Sequence, residues 1–322
     1  MINLDVLGNL IGAKMSEKID KLLKLKKERN AVILAHYYQD DIVQEIADFK
    51  GDSLALAQAA KEVTNDVIVF CGVHFMAETA KILNPDKIVL LPDLNAGCSL
   101  ADSAPADRFR EWVEQYPDYV VVSYINCSTE VKAMSDIICT SSNALKIINS
   151  IPEHKNILFA PDKYLGRYLI KQTGLQMVLW NGSCQVHEQF SETKLIEIIN
   201  QNPDAEVIAH PECPENILDY ADFIGSTTAL INYTKKSDSN RFIILTEPGV
   251  IYEMRKHSPS KTFITVPNID GCNCNNCPYM KLNTIDKIID CLEKLEPQII
   301  IEEQLRLKAL RPLEKMLEIS KK

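Results

Sequence analysis

The sequence predicts an α/β fold of three homologous three-layer α/β/α repeats, each with a small parallel sheet, arranged around a pseudo-threefold axis. Two observations predict it. Nine short apolar runs alternate with amphipathic helical stretches, a pattern typical of parallel strands covered by helices on both faces. The chain also aligns with itself as three copies. The nine runs predict three strands per repeat: AVILAHY, DVIVFCG, KIVLLPD, YVVVSYI, NILFAPD, LQMVLWN, EVIAHPE, RFIILTE and TFITVPN.

The three copies start at Val32, Val120 and Glu206 and align without gaps. Four columns of the alignment hold polar residues: His36, Tyr124 and His210; Tyr38, Asn126 and Glu212; Asp48, Asp136 and Asp222; Ser53, Ser141 and Thr227. The first two columns and the hydroxyl column fall where strands end or helices begin, which is where parallel sheets bind ligands. The aspartate column is expected to brace the fold and to take no part in chemistry.

The repeats predict three domains. The first covers residues 1–104 with an N-terminal helix, the second covers 105–189 and the third covers 190–281. A C-terminal helix over residues 282–322 is expected to pack back on the first domain, with a break or kink at Pro312 because proline lacks a backbone N–H.

Composition excludes several classes of function. With 35 basic and 44 acidic residues the net charge is −9, so no basic field favours nucleic acid. No segment approaches the ~20 apolar residues of a membrane span, and the N-terminus does not have the features of a signal peptide. Ten cysteines without an export signal indicate a reducing cytoplasm and free thiols or metal ligands.

Each repeat ends its third strand in a loop with cysteine: NAGC with Cys98, NGSC with Cys184, and NIDGCNCNNC with three thiols, of which Cys272 has the matching spacing. Three converging thiols predict a metal site with an open position, either zinc or an iron–sulfur cluster. Alternatively, Cys98 and Cys184 are small core residues and CxCxxC is a local zinc or disulfide clip. The remaining cysteines are expected in the core: Cys71, Cys127, Cys139, Cys213 and Cys291.

The chain resembles the bacterial quinolinate synthases over nearly its full length. The matching motifs, in order, are AHYYQ, GDSLALA, CGVHFMAETAKIL, PDLNAGCSLADS, YINCSTEVKA, WNGSCQVHE, HPEC, GSTTALI and CPYMKLNT. The resemblance implies a central [4Fe-4S] cluster and the condensation of iminoaspartate with dihydroxyacetone phosphate to quinolinate for NAD synthesis, with loss of phosphate and two waters. It also implies Cys98, Cys184 and Cys277 as the cluster ligands, which conflicts with the spacing that favours Cys272.

On this interpretation, two substrates that carry carboxylates and a phosphate meet hydroxyls and helix starts at Ser53, Ser141 and Thr227. The alternative is that these residues only cap helices. The donors and proton carriers expected around the substrate are His36, Tyr38, Tyr124, Asn126, His210 and Glu212. Glu212 is the expected general base, with His36 and Tyr38 as proton relays. His74 and His187 lie outside the columns and are expected to be structural.

Three other functions compete with this one. A different four-iron hydro-lyase would need no phosphate site, and a zinc-stabilised binding module would be colourless. A thioredoxin-like oxidoreductase using Cys274 and Cys277 is disfavoured because its motif opens a helix after a strand. A Cys274–Cys277 pair that closes reversibly and releases the cluster is a further hypothesis, as is coupling to the enzyme that makes the unstable imine.

Overall fold

The computed structural model describes residues 12–269 and 275–321, which contain three parallel sheets of four strands each. The strands are β1 (Ala31–His36), β2 (Phe49–Gly51), β3 (Val67–Cys71), β4 (Ile88–Leu90), β5 (Val120–Tyr124), β6 (Ile137–Cys139), β7 (Ile157–Ala160), β8 (Met177–Leu179), β9 (Glu206–Ala209), β10 (Phe223–Ile224), β11 (Arg241–Leu245) and β12 (Thr262–Thr265). The sheet orders are β2-β1-β3-β4, β6-β5-β7-β8 and β10-β9-β11-β12, the same order in every repeat. The predicted fold class of three α/β repeats is confirmed.

Helices alternate with these strands. The α-helices are α1 (Ala13–Glu28), α2 (Asp41–Ile46), α3 (Ser53–Glu62), α4 (His74–Leu83), α5 (Ser99–Asp102), α6 (Ala106–Glu114), α7 (Thr129–Ala133), α8 (Ala144–Asn149), α9 (Lys163–Thr173), α10 (Gln185–Glu188), α11 (Glu192–Gln201), α12 (Glu215–Leu218), α13 (Thr227–Lys236), α14 (Val250–His257), α15 (Ile285–Lys294) and α16 (Glu303–Lys321). A 3₁₀ turn covers Met280–Leu282. Within the described ranges no helix has the length and apolar character needed to span a bilayer.

The prediction of three strands per repeat was one strand short. The additional strands β2, β6 and β10 lie beside the first strand of each sheet and have only two or three residues. A strand this short shows no alternation of polar and apolar residues, so the periodicity that reveals strands in a sequence is absent. The nine predicted strands are all present.

The aspartate column braces each sheet in the same way. The carboxylates of Asp48, Asp136 and Asp222 each accept a 2.8 Å hydrogen bond from a first-strand N–H fifteen residues earlier. The donors are Ile33, Val121 and Val207. The aspartate N–H returns a bond of 2.8–2.9 Å to the C=O of the same residue. Both backbone groups of that strand residue are therefore satisfied where the sheet begins, and the predicted bracing role is confirmed.

Asp136→Ala is expected to lower the free energy of unfolding by about 1–3 kcal/mol, because the N–H of Val121 loses its charged acceptor. Urea unfolding followed by circular dichroism measures this. Asp118→Ala, an exposed aspartate of a turn in the same repeat, is the matched control. Equal urea midpoints for the two variants would show that the repeated bond does not brace the sheet.

The chain forms two compact units. The first comprises the described residues up to Gly97 together with Pro278–Ile301, and its core joins α1, β1, β3 and α15 around Leu22, Ile33 and Leu292. The second comprises the described part of Cys98–Cys277 and the residues from Glu302 on. It holds the second and third sheets, with cores around Phe109 and Ile243.

The C-terminal segment differs from the single helix predicted over residues 282–322. Helix α15 packs against α1 in the first unit, whereas α16 packs against α7, α8 and β6 in the second. Leu295 ends α15 in the left-handed region at φ 53°, and Pro297 follows, so the two helices are separate. Pro312 lies inside α16 and does not interrupt it. The domain boundaries at residues 104, 189 and 281 stay a prediction.

Candidate active site

The carboxyl ends of β5 and β9 bring Tyr124 and Glu212 together in the second unit. Tyr124 is the last residue of β5, and Glu212 follows β9 by three positions. The Tyr124 hydroxyl donates a 2.5 Å hydrogen bond to Glu212 Oε1, and both side chains are buried. Burial, together with the adjacent Glu212 carboxylate, raises the pKa of Tyr124 well above its usual value, so the phenol keeps its proton.

Two histidines surround the Glu212 carboxylate. His187 Nδ1 lies 3.0 Å from Oε2 and His210 Nδ1 lies 3.7 Å from Oε1. Burial alone would raise the pKa of Glu212, but the two imidazoles and the hydrogen bond from Tyr124 hold it below its usual value. Glu212 is therefore an ionised carboxylate in the buried interior of the second unit.

The two imidazole rings are stacked, with centroids 4.7 Å apart and planes 26° from parallel. His210 Nε2 is 3.1 Å from Ser141 Oγ, and its Nδ1 accepts a 3.4 Å bond from the N–H of Glu212. His187 Nε2 is 2.9 Å from Thr246 Oγ1. Each ring thus has one nitrogen on a hydroxyl and the other facing Glu212, an arrangement that can move protons along the pocket.

Sequence reasoning missed His187, Asp162 and Glu247 as members of this site. His187 was interpreted as structural because it falls outside the repeat columns. Its sequence signal is its position three residues after Cys184 in α10, which puts both residues on one side of the helix. Asp162 and Glu247 follow β7 and β11, the third strands of their repeats in chain order, each by two residues.

Asp162 is a fully buried carboxyl close to Glu212. Its Oδ1 accepts a 2.7 Å hydrogen bond from Leu165 N at the start of α9. Among the described residues its Oδ2 has no hydrogen-bond partner. Burial first, and then the charge of Glu212, raise the pKa of Asp162, so of the two carboxyl groups Glu212 carries the charge and Asp162 the proton.

The thiols of Cys98, Cys184 and Cys277 gather in the same unit. Burial, the Glu212 carboxylate and the other two thiols raise the pKa of Cys184. Burial and Cys277 also contribute to raising the pKa of Cys98, to about 12. Cys98 and Cys184 occupy equivalent positions, each directly before a helix of four residues. Cys272 and Cys274 lie outside the described residues.

Side-chain networks hold two of these cysteine loops. Glu188 accepts hydrogen bonds from Ser183 at 2.6 Å, Tyr164 at 2.9 Å and Lys163 at 3.0 Å, which fixes both ends of the helix after Cys184. Glu247 accepts from the N–H of Cys277 at 3.3 Å and from Gly249 N at 2.6 Å. Glu188 and Glu247 therefore hold the segments that carry Cys184 and Cys277.

One further donor set is present. Ligand atoms of Cys184, His187 and Glu212 all lie within 4.8 Å of one another, a mixed sulfur, nitrogen and oxygen group able to hold a transition metal. Cys184 belongs both to this group and to the three thiols. The candidate metal ligands of the unit therefore include the loop that follows β8.

The hydroxyl column was expected to cap helices, and here the structure differs. The side chains that cap α3 and α13 are Asp52 and Ser226, one residue earlier, and Ser53 and Thr227 are the first helical residues. Ser141 lies in the turn before α8. The hydroxyls of this column therefore do not serve as the caps, which favours the ligand-binding interpretation over the capping one.

Asn126 follows Tyr124 by two residues, and its buried Oδ1 lacks a hydrogen-bond partner among the residues that the structure describes. An unsatisfied buried carbonyl oxygen is costly unless a ligand or a water completes it. Asn126 is thus a suitable contact for a bound polar molecule.

His36, Tyr38 and Ser53 lie in the first unit, at the carboxyl end of β1 and the start of α3. The N–H of Tyr38 donates to His36 Nδ1 at 3.2 Å, and the two rings meet edge to face with centroids 4.5 Å apart. The same bond joins Glu212 to His210 in the third repeat. Lys281 Nζ donates a 2.7 Å hydrogen bond to the carbonyl oxygen of Tyr38.

Comparison with known proteins gives consistent matches. The family described as Quinolinate synthetase A protein matches residues 20–318. A quinolinate synthase of Microcystis aeruginosa is 61% identical over 297 residues, covering 92% of this chain and 93% of that protein. One from Thermosynechococcus vestitus is 60% identical over 92% and 93% of the two chains. One from Synechocystis sp. is 58% identical over 94% and 95%.

Proposed function

The chain belongs to the quinolinate synthetase A family and is an enzyme, and from this premise we propose that it condenses iminoaspartate with dihydroxyacetone phosphate. The products are quinolinate, phosphate and two waters, and the reaction serves NAD synthesis in the cytoplasm. The observation that best supports the proposal is the buried array of Tyr124, Glu212, His187 and His210 beside three thiols. Ring formation requires protons to be removed repeatedly, and the carboxylate and imidazole groups of this array are side chains that can transfer protons.

The proposed cofactor is a [4Fe-4S] cluster held by Cys98, Cys184 and Cys277. The donor set fits, because three mutually close thiols bind iron–sulfur clusters and leave one iron without a cysteine. The choice of Cys277 as the third ligand is supported by the interaction of its thiol with Cys98 and Cys184 and by the bond from its N–H to Glu247. When bound, such a cluster supplies a Lewis-acidic iron that can hold a substrate hydroxyl or carboxylate.

The substrates carry carboxylates and a phosphate, and the chain offers neutral donors to them. We propose Ser141, Asn126, Thr227 and Ser53 as the substrate-binding residues. The N-termini of α3 and α13, each ten residues long, add backbone N–H groups and the positive end of a helix dipole. Neutral donors suit a pocket that already contains an ionised carboxylate.

Proton transfer is assigned to the buried array. Glu212 would act as general base, taking a proton from carbon or nitrogen of the substrate. Tyr124 keeps its proton and would use it to hold the Glu212 carboxylate in position through their hydrogen bond. His210 would pass protons between Glu212 and the substrate, and His36 and Tyr38 are proposed as further proton relays.

The test is an anaerobic assay of purified protein with iminoaspartate, supplied chemically or by the enzyme that makes it, and dihydroxyacetone phosphate. Quinolinate is separated by chromatography, and iron and sulfide are measured on the same sample. Brown protein that forms quinolinate is expected. Colourless zinc protein without activity would support a binding module, and dehydration of a hydroxy acid without quinolinate formation would support a different hydro-lyase.

Removal of one substrate-binding hydroxyl is expected to weaken binding moderately. For Ser141→Ala or Thr227→Ala, KM should rise about five- to tenfold, since one hydrogen bond is lost while other donors remain. Steady-state kinetics measures this, with Ser135→Ala as the control, a serine whose hydroxyl bonds within the second repeat. Unchanged KM and unchanged affinity for dicarboxylate analogues would remove these hydroxyls from the substrate site.

A further inference from the structure

The turn at residues 140–143, between β6 and α8, connects three separate parts of the second unit. Ser141 Oγ lies 3.1 Å from His210 Nε2 in the candidate active site. Ser142 Oγ donates to Ser226 Oγ, the cap of α13, at 2.7 Å. Asn143 Nδ2 donates to Ser320 Oγ in the last turn of α16 at 2.9 Å. Three successive side chains thus link a catalytic histidine, a substrate-side helix start and the C-terminal helix.

Hydrogen bonds within this turn help to fix its position. Asn143 Oδ1 accepts bonds from the N–H of Thr140 at 2.6 Å and from its hydroxyl at 3.2 Å, which closes the turn on itself. A cavity of about 150 Å³ borders it, lined among others by Ser141, Ser142 and Ser226. Thr140 and Asn143 are buried, whereas Ser141 and Ser142 lie beside this cavity, where fewer packing contacts fix a side chain and its polar links matter more.

Ser320 is a rigid anchor for one of these links. Its hydroxyl donates to Met316 O at 2.7 Å, which leaves its oxygen lone pairs to accept from Asn143. Helix α16 is itself held against α7, α8 and β6 by buried side chains. These are Ala309, Leu313, Met316 and Leu317. A movement of Asn143 would therefore break a bond to a fixed partner.

We propose that Asn143 and Ser320 are positioning residues through which the C-terminal helix sets Ser141 against His210 and the substrate. This rests on the proposed function, because Ser141 is a substrate contact only if that function is right. The bond to Ser320 acts at a distance from the reacting atoms, so its loss affects how well the substrate is held and leaves the proton-transfer groups in place. Loss of this bond is therefore expected to change KM and to leave kcat nearly unchanged.

Ser320→Ala tests the link, because it leaves Asn143 Nδ2 without its acceptor. KM is expected to rise about three- to tenfold, with kcat within about twofold of wild type, as for one lost hydrogen bond. Ser320→Thr keeps the hydroxyl and should restore KM. The matched control is Ser150→Ala, which removes a serine bonded to the Ile147 carbonyl at the opposite end of α8. Equal kinetic constants in Ser320→Ala and Ser150→Ala would overturn the proposal.

A second measurement is independent of turnover. Hydrogen exchange of the backbone amides of residues 140–144, followed by mass spectrometry on the full chain, should be faster in Ser320→Ala than in wild type or Ser150→Ala. Unchanged exchange together with a lower melting temperature would reduce the bond to a stabilising contact and overturn the proposal. Failure of wild type to form quinolinate would instead reject the proposed function, and the exchange result would still decide whether α16 fixes the turn.

Discussion

Glu212→Gln is expected to lower turnover by about 10²–10⁴-fold while the iron content stays at the wild-type level. The amide keeps the size of the side chain and one acceptor oxygen for the Tyr124 hydroxyl, 2.5 Å away in wild type. It cannot accept a proton from the substrate. It also replaces the carboxylate that His187 Nδ1 faces at 3.0 Å with a neutral amide. Loss of the base therefore acts on the chemical step, and steady-state kinetics with iron analysis measures both quantities.

Glu215→Gln is the matched control for this variant, since Glu215 is an exposed carboxylate three residues further along the chain. It should retain wild-type turnover. If Glu212→Gln also kept wild-type turnover with normal iron, proton removal would have to be assigned to Tyr38 or His36. The placement of the chemistry at the ends of β5 and β9 would then be wrong.

Cys184→Ala is expected to abolish activity and most of the bound iron. A site with three thiolate ligands cannot lose one without losing its metal, and ligand atoms of Cys184, His187 and Glu212 also lie within 4.8 Å of one another. Cys98→Ala and Cys277→Ala should behave in the same way. Iron and sulfide analysis of protein purified without oxygen, together with the visible spectrum, measures the loss.

Two controls separate ligation from general effects of removing a thiol. Cys139→Ala removes a fully buried thiol at the end of β6 and should keep its iron. Cys272→Ala, in the part of the chain outside the described residues, should also keep it. Iron loss in Cys272→Ala with retention in Cys277→Ala would reverse the assignment and show that the repeat spacing identifies the third ligand.

The repeat pattern predicted the fold and much of the candidate site. A chance similarity rarely recurs at the same position in all three copies, whereas a residue that the fold requires recurs in each of them. The column of Asp48, Asp136 and Asp222 indicated a common brace, and the same 2.8 Å bond is present three times. The columns containing Tyr124 and Glu212 indicated a common strand end, and these two side chains are hydrogen-bonded. Residues whose role depends on their position within the repeat can therefore be identified from the sequence.

Other features could not be predicted because they depend on contacts between distant segments. His187 has no counterpart in the columns, and its 3.0 Å distance from Glu212 Oε2 joins two segments that the repeat pattern does not relate. The contact between Asn143 and Ser320 joins residues 177 apart in the chain. The packing of α16 on the second unit depends on which apolar surface is left uncovered there, and its own helical periodicity does not reveal this.

The order in which the sheets and α16 occur along the chain has a consequence for synthesis on the ribosome. Every sheet is built from one contiguous stretch, residues 31–90, 120–179 and 206–265, so each can form as soon as its own segment has emerged. Helix α16 is made after all of them, yet it covers apolar parts of α7, α8 and β6. Until residues 303–321 have been synthesised and have folded, the apolar surface of α7, α8 and β6 that α16 covers therefore stays exposed in the nascent chain.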